Sequence, residues 1–115
     1  MIFAIATVKK HIAEHYAFTE HFDLYKIIGQ EAKYMRSIAY STSAHLESFD
    51  HLKDGGVDAI AVDMIGDETF EHLEGRGINI YYGQKGDVKT FLLEYLDGHI
   101  KKPKVYIEDT AVCAL

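Results

Sequence analysis

The sequence predicts an α/β domain: a five-stranded mixed sheet with three helices. Three observations carry this expectation. Residues 2–8, IFAIATV, are apolar on both faces and read as a central strand covered on each side. Residues 21–28, HFDLYKII, alternate and end at a Gly29-Gln30 turn, the mark of a hairpin. From residue 57 onward, short apolar runs alternate with stretches of helical spacing, the pattern of strand–helix crossovers.

The elements follow in order. Residues 9–20 are polar and rich in histidine and read as a loop. In residues 21–28, Phe22, Leu24 and Ile28 share one face. Residues 31–40 are ambiguous: Ala32, Tyr34, Ile38 and Tyr40 favour a strand, while Gln30, Glu31, Ala32 and Lys33 suit a helix. The short turn at Gly29 favours a hairpin partner. Ser41, Thr42 and Ser43 offer caps for a helix over 44–53, ended by Gly55 and Gly56. VDAIAV (57–62) reads as a buried strand. Gly66 and Asp67 open a second helix through Glu74, closed by Gly75 and Gly77. INIYY (78–82) is the fifth strand. Asp87 caps a third helix bearing Val88, Phe91, Leu92, Tyr95 and Leu96, with Gly98 as its stop. The domain is expected over residues 1–102. Pro103 separates a tail, 103–115, in which KVYIE (104–108) reads as a short edge strand.

Right-handed crossovers then place the strands, numbered by appearance, in the order 3-2-1-4-5, the second antiparallel to the rest. That is a ribonuclease-H-like arrangement. The first strand sits at the switch point of the sheet, where ligands tend to bind.

Composition narrows the function. The chain has 115 residues, 48% of them hydrophobic, which suits one domain with a packed core. Its formal net charge of −6 disfavours nucleic acid as a partner. It has no apolar run of about 18 residues, so no membrane span is expected. The order IFAIATV then KKH reverses the charge order of a secretory signal. Cys113 is the single cysteine, which excludes an intrachain disulfide and a thiolate cage. A cytoplasmic setting is expected.

Candidate chemistry gathers at the C-terminal rim of the sheet. The loop 9–20 brings Lys9, Lys10, His11 and His15. The start of the first helix brings His45. The turn Asp63-Met64-Ile65-Gly66-Asp67 leads into the second helix, whose backbone N–H groups favour negative charge. His21 begins a strand and its role is open. His51, His72 and His99 read as surface residues. No histidine spacing here is a zinc signature. Hydrolytic readings are poor. The first strand has no carboxylate for a two-metal nuclease, and Asp58 lies at the wrong end of its strand. No serine or cysteine nucleophile stands beside a base.

Three stretches resemble a known family. AEHYAFTEHFDLYKI (13–27), VDAIAVDMIGDETFEHLEGRGINIYYG (57–83) and GDVKTFLLEYLDGHI (86–100) are similar, in order and spacing, to the dinitrogenase iron-molybdenum cofactor biosynthesis family, the small NifX/NafY-like domains. The resemblance implies a ribonuclease-H-like fold without nuclease chemistry. It implies a non-enzymatic carrier or assembly helper for iron-molybdenum cofactor or a related iron-sulfur cluster, with cluster-assembly or target apo-proteins as partners. The histidine of the family's first motif falls on His15, and a second family histidine falls near His45. Two departures stand out. Tyr16-Ala17 replace Phe-Gly, and Asp63-Met64 replace two glycines.

The resulting expectation is a cofactor site made by His15, His45, Ile65, Gly66, Lys9 and Lys10, with His15 and His11 as metal-ligating nitrogens. The altered turn at Asp63-Met64 motivates an alternative, a regulatory or interaction module of the same fold that has lost cluster binding. A third reading is a metal-dependent enzyme using Asp63, Asp67 and His15.

Overall fold

The structure, a computed structural model, describes residues 1–40, 52 and 54–100. It is a mixed α/β fold organised around strand β1 (Ile2–Val8). Phe3, Ala4, Ile5 and Ala6 have no solvent exposure at all. A strand this apolar must be covered on both faces, and it is. Ala4 and Ala6 face one core with Tyr16, Phe22, Leu24, Phe70 and Leu73. Phe3 and Ile5 face the other with Val88, Phe91 and Leu92. The alternation of small and large side chains along β1 lets each layer fit bulk from its own helix.

β2 (His11–Ile12) returns antiparallel along β1. β3 (His21–Ile28) pairs antiparallel with β1 along six residue pairs, Ile2↔Lys26 through Thr7↔His21. β4 (Glu31–Ala39) closes a hairpin with β3 across Gly29-Gln30. β5 (Ala59–Ala61) lies parallel to β1, and β6 (Asn79–Tyr81) parallel to β5. The main path runs β4-β3-β1-β5-β6, with β2 beside β1 off that path. The expected strand order is found. The expected count of five is corrected to six, because His11–Ile12, read as loop, is a strand. Two residues are too few to leave a periodic pattern.

The ambiguous stretch after Gly29 is a strand, β4. Its register slips where Leu24 faces Arg36 and Tyr25 faces Tyr34, leaving Met35 as a bulge. A bulge twists an exposed edge and hinders pairing with other chains. Asp58 fixes the start of the parallel ladder. Its carboxylate accepts from Ile2 N–H at 2.8 Å, and its own N–H donates to the Ile2 carbonyl at 2.8 Å.

The described residues include two long helices, α1 (Asp67–Gly75) and α2 (Val88–Leu96), one on each face of the sheet. Both end in the same way. Ile78 N–H reaches Leu73 carbonyl and Gly77 N–H reaches Glu74; His99 N–H reaches Glu94 and Gly98 N–H reaches Tyr95. Gly77 and Gly98 sit at φ +81° and +78°, the left-handed geometry this closure needs. The helix expected over 44–53 lies outside the described residues except for Leu52, which is helical and buried. The expected tail, 103–115, lies outside them too. No helix among the described residues is long and apolar enough to cross a membrane.

The core on the α2 side is aromatic. Phe3 lies 5.1 Å from Tyr81, 5.4 Å from Phe91 and 5.0 Å from Tyr95, ring centre to ring centre. Tilted and edge-on pairs of this kind add to area burial. Ile5→Val should destabilise the fold by about 0.5–1.5 kcal/mol. Ile28→Val, the same deletion at a residue 59% exposed, should stay within about 0.5 kcal/mol. Urea denaturation of both variants checks the contrast, and equal losses would contradict the assigned burial.

Candidate functional site

The rim is built by segments that leave the C-terminal ends of β1 and β5. After β2, residues 13–16 run alongside Asp63 and Met64. Asp63 N–H donates to Ala13 carbonyl at 3.2 Å, Met64 N–H to Glu14 at 3.0 Å, and Tyr16 N–H to Met64 at 2.8 Å. His15 thus faces Met64 across a parallel bridge. Tyr16 anchors this loop. Its ring is buried against Phe22 and Tyr40, and burial raises its phenol well above the ordinary value.

His15 opens a short 3₁₀ turn, Tyr16–Phe18. Its Nδ1 accepts from Ala17 N–H at 3.0 Å. Its ring lies 5.8 Å from that of Phe18, which is 66% exposed. Met64 is 60% exposed. His15 therefore stands at a rim flanked by uncovered apolar side chains, one of them a thioether, a soft ligand type. In the sequence, Met64 stands out only as the replacement of a family glycine. A sulfur at the approach to a helix N-terminus was the available signal.

Gly66 precedes α1, with no side chain capping the helix and Asp67 and Glu68 in its first turn. Its φ of −72° does not require glycine, and an added Cβ would meet nothing within 4 Å. Open space therefore lies over this helix start. Asp63, beside Met64, is paired with Lys85 at 2.6 Å. The carboxylate is 11% exposed and the ammonium 77%. An exposed partner of this kind stabilises by roughly 0–1 kcal/mol, but it offsets the Asp63 charge at the rim.

The remaining expected site residues part company. His15 stands opposite Met64, and Ile65 and Gly66 follow Met64 in the turn, with the Ile65 side chain buried in the core. His45 lies outside the described residues. His11 faces Val8 within the hairpin and Asp87 on its other side, so it and His15 stand against different segments. Lys9 and Lys10 line a separate cleft with Thr7, His21, Tyr25 and Lys89. They are the two central residues of the β1–β2 turn, at φ 49° and 70°. The left-handed geometry of a type I′ turn costs a non-glycine residue roughly 1–2 kcal/mol. Asp87 caps α2 by accepting from Thr90 N–H at 3.2 Å. The Thr90 hydrogen bonds hold its carboxyl below the usual carboxylate range, with a smaller pull from His11.

The donor set bears on metal binding. The Nδ1 lone pair of His15 is taken by Ala17 N–H, so neutral imidazole carries its proton on Nε2. In that state the outward nitrogen donates a hydrogen bond instead of ligating. Ligation through Nε2 requires the other tautomer, whose Nδ1 proton gives up the hydrogen bond from Ala17 N–H. Among the described residues, no group of three or more His, Cys, Asp or Glu is placed to hold a metal ion.

A family model described as "Dinitrogenase iron-molybdenum cofactor" matches residues 1–98. No curated protein sequence matches the chain. Solved structures share the fold. PH0822 is 20% identical with a TM-score of 0.80, covering 94% of this chain and 99% of its own. The protein mj0327 of Methanocaldococcus jannaschii is 21% identical with a TM-score of 0.76, covering 90% and 95%. The apo form of the orange protein from Desulfovibrio gigas is 15% identical with a TM-score of 0.69, covering 89% and 92%.

Two measurements probe the rim. His15→Ala removes the cap of the 3₁₀ turn and should cost about 0.5–1 kcal/mol, while His15→Asn keeps an acceptor there and should cost less. Thermal denaturation separates them, and equal losses would deny the cap. For Asp87, a carboxyl held low in the folded state stabilises above its unfolded pKa and loses that contribution as pH falls through the folded value. Asp87→Ala should therefore melt below wild type at neutral pH. The gap should close as pH drops through and below the carboxylate range, a trend read from melting curves across pH.

Proposed function

The chain belongs to the dinitrogenase iron-molybdenum cofactor family, and from that premise we propose that it is a non-catalytic carrier for an iron-molybdenum or iron-sulfur-type cofactor. It would take part in metallocluster assembly and pass its cargo to cluster-assembly or target apo-proteins. The cargo would rest on the rim, over His15, Met64, Ile65 and Gly66.

The observation that carries this reading is the strapping of residues 13–16 to Asp63-Met64 by three backbone hydrogen bonds. That strap holds His15 opposite Met64, just ahead of Gly66, the residue that precedes α1. His15 would meet the cofactor first as a hydrogen-bond donor through Nε2. Met64 would offer sulfur, and the α1 N-terminus would favour the cargo's negative charge. The Asp63–Lys85 pair supports the same reading, because it offsets the carboxylate next to Met64, while Asp67 and Glu68 in the first turn of α1 oppose an anion there.

Anaerobic titration with isolated iron-molybdenum cofactor, followed by visible absorption, tests the proposal. Wild type should bind, His15→Asn should bind several-fold more weakly, and Met64→Leu should shift the spectrum if sulfur ligates. Binding in His15→Ala equal to wild type would remove His15 from the site. No binding by any version would favour the interaction-module alternative.

A further inference from the structure

We propose that the cleft between the Lys9-Lys10 turn, β3 and the start of α2 is a second binding site, for a phosphorylated ligand that carries hydroxyl groups and a flat ring, of the mononucleotide kind. This inference is independent of the cofactor reading, because His15, Met64 and Gly66 do not line the cleft.

The cleft holds about 740 Å³, room for a ligand of that size. Three lysines line it, and each sits where local stability opposes it. Lys9 and Lys10 occupy the left-handed positions of a turn that favours Asn-Gly. Lys89 lies in the first turn of α2, where the helix field disfavours a cation. Among the described residues, none of the three makes an ion pair. Local rules broken together around one cavity are the signature of a site.

Three carboxylates also line the cleft, and they narrow the ligand. Glu20 accepts from Lys9 N–H at 3.1 Å. Asp23 accepts from the Ser37 hydroxyl. Asp87 accepts from Thr90 N–H at 3.2 Å. A wall with both signs of charge is poor for a bare inorganic anion. It suits a ligand whose phosphates meet lysine while its hydroxyls donate to the spare carboxylate lone pairs of Glu20 and Asp23. Tyr34, 56% exposed, stands edge-to-face with Tyr25 at 5.6 Å and offers a ring face at the mouth.

Isothermal titration of the full chain with ADP tests this, with pyrophosphate and adenosine as its two halves. ADP should bind, and each half should bind at least about tenfold more weakly. Lys10→Gln combined with Lys89→Gln should weaken ADP by about tenfold or more. Tyr34→Ala should weaken ADP and leave pyrophosphate unchanged. Lys26→Gln, the same charge change on the other face of β3, should alter neither. Lys9→Asn with Lys10→Gly installs the residues the turn prefers, so it should raise Tm while lowering ADP affinity; a Tm gain with unchanged affinity would give the lysines no part in binding. Absence of ADP binding at millimolar ligand overturns the proposal. So does equal ADP affinity in the lysine variants and Lys26→Gln. Pyrophosphate binding as tightly as ADP overturns the ring-bearing ligand. Cofactor binding at His15 would stand under each of these failures.

Discussion

The double burial of β1 is the constraint on which the rest of this molecule depends. A strand with no solvent-facing side must have neighbours along both edges and cover on both faces. β3 and β5 supply the edges, one antiparallel and one parallel. α1 and α2 supply the cover. Once the parallel neighbours are set, the C-terminal ends of β1, β5 and β6 must open at one rim, and the His15 loop and the Asp63–Gly66 turn leave from it.

Away from the rim the chain obeys its local preferences. Both helices close on a glycine in left-handed geometry, and Asp58 clamps the first parallel pair. At the rim those preferences lapse. Two lysines take positive φ, α1 starts without a side-chain cap, and Phe18 and Met64 are left uncovered. Strain and exposure of this kind persist only where the surrounding structure over-determines them, and they cluster where a protein binds something.

The small strand β2 divides this rim. On one side lie His15, Met64 and Gly66; on the other lie Lys9, Lys10 and Lys89, in the cleft that His11 also lines. The division changes the chemistry of each part. The His15 side lacks the lysines; Asp67 and Glu68 stand in the first turn of the helix there, and Lys85 is paired with Asp63. His15 itself is engaged through Nδ1, which turns a residue read as a ligand into a donor with its proton outward. Asp58, the carboxylate a nuclease reading would need, is spent at the opposite end on the Ile2 backbone.

Read alone, the sequence determined the parts whose causes are local. Apolar periodicity located Ile2–Val8 and His21–Ile28 to the residue, and Asp87 and Gly98 bounded α2, because caps and face patterns are written in neighbouring residues. The order of the strands followed from crossover handedness, and with it the meeting of the His15 loop with the Asp63–Gly66 turn. Tertiary structure alone decided the rest. Residues 31–39 were ambiguous in composition and tilted toward a strand only by the Gly29 turn; pairing with the edge of β3 made them one. His11–Ile12 became a strand because β1 runs on past the end of β5 on that edge, leaving Thr7 and Val8 to pair, and the Gly86 carbonyl waited on the other side. The separation of Lys9 and Lys10 from His15, and their union with Lys89, depend on which face of the sheet each segment crosses. A face is a property of long-range pairing, and no window of neighbouring residues contains it.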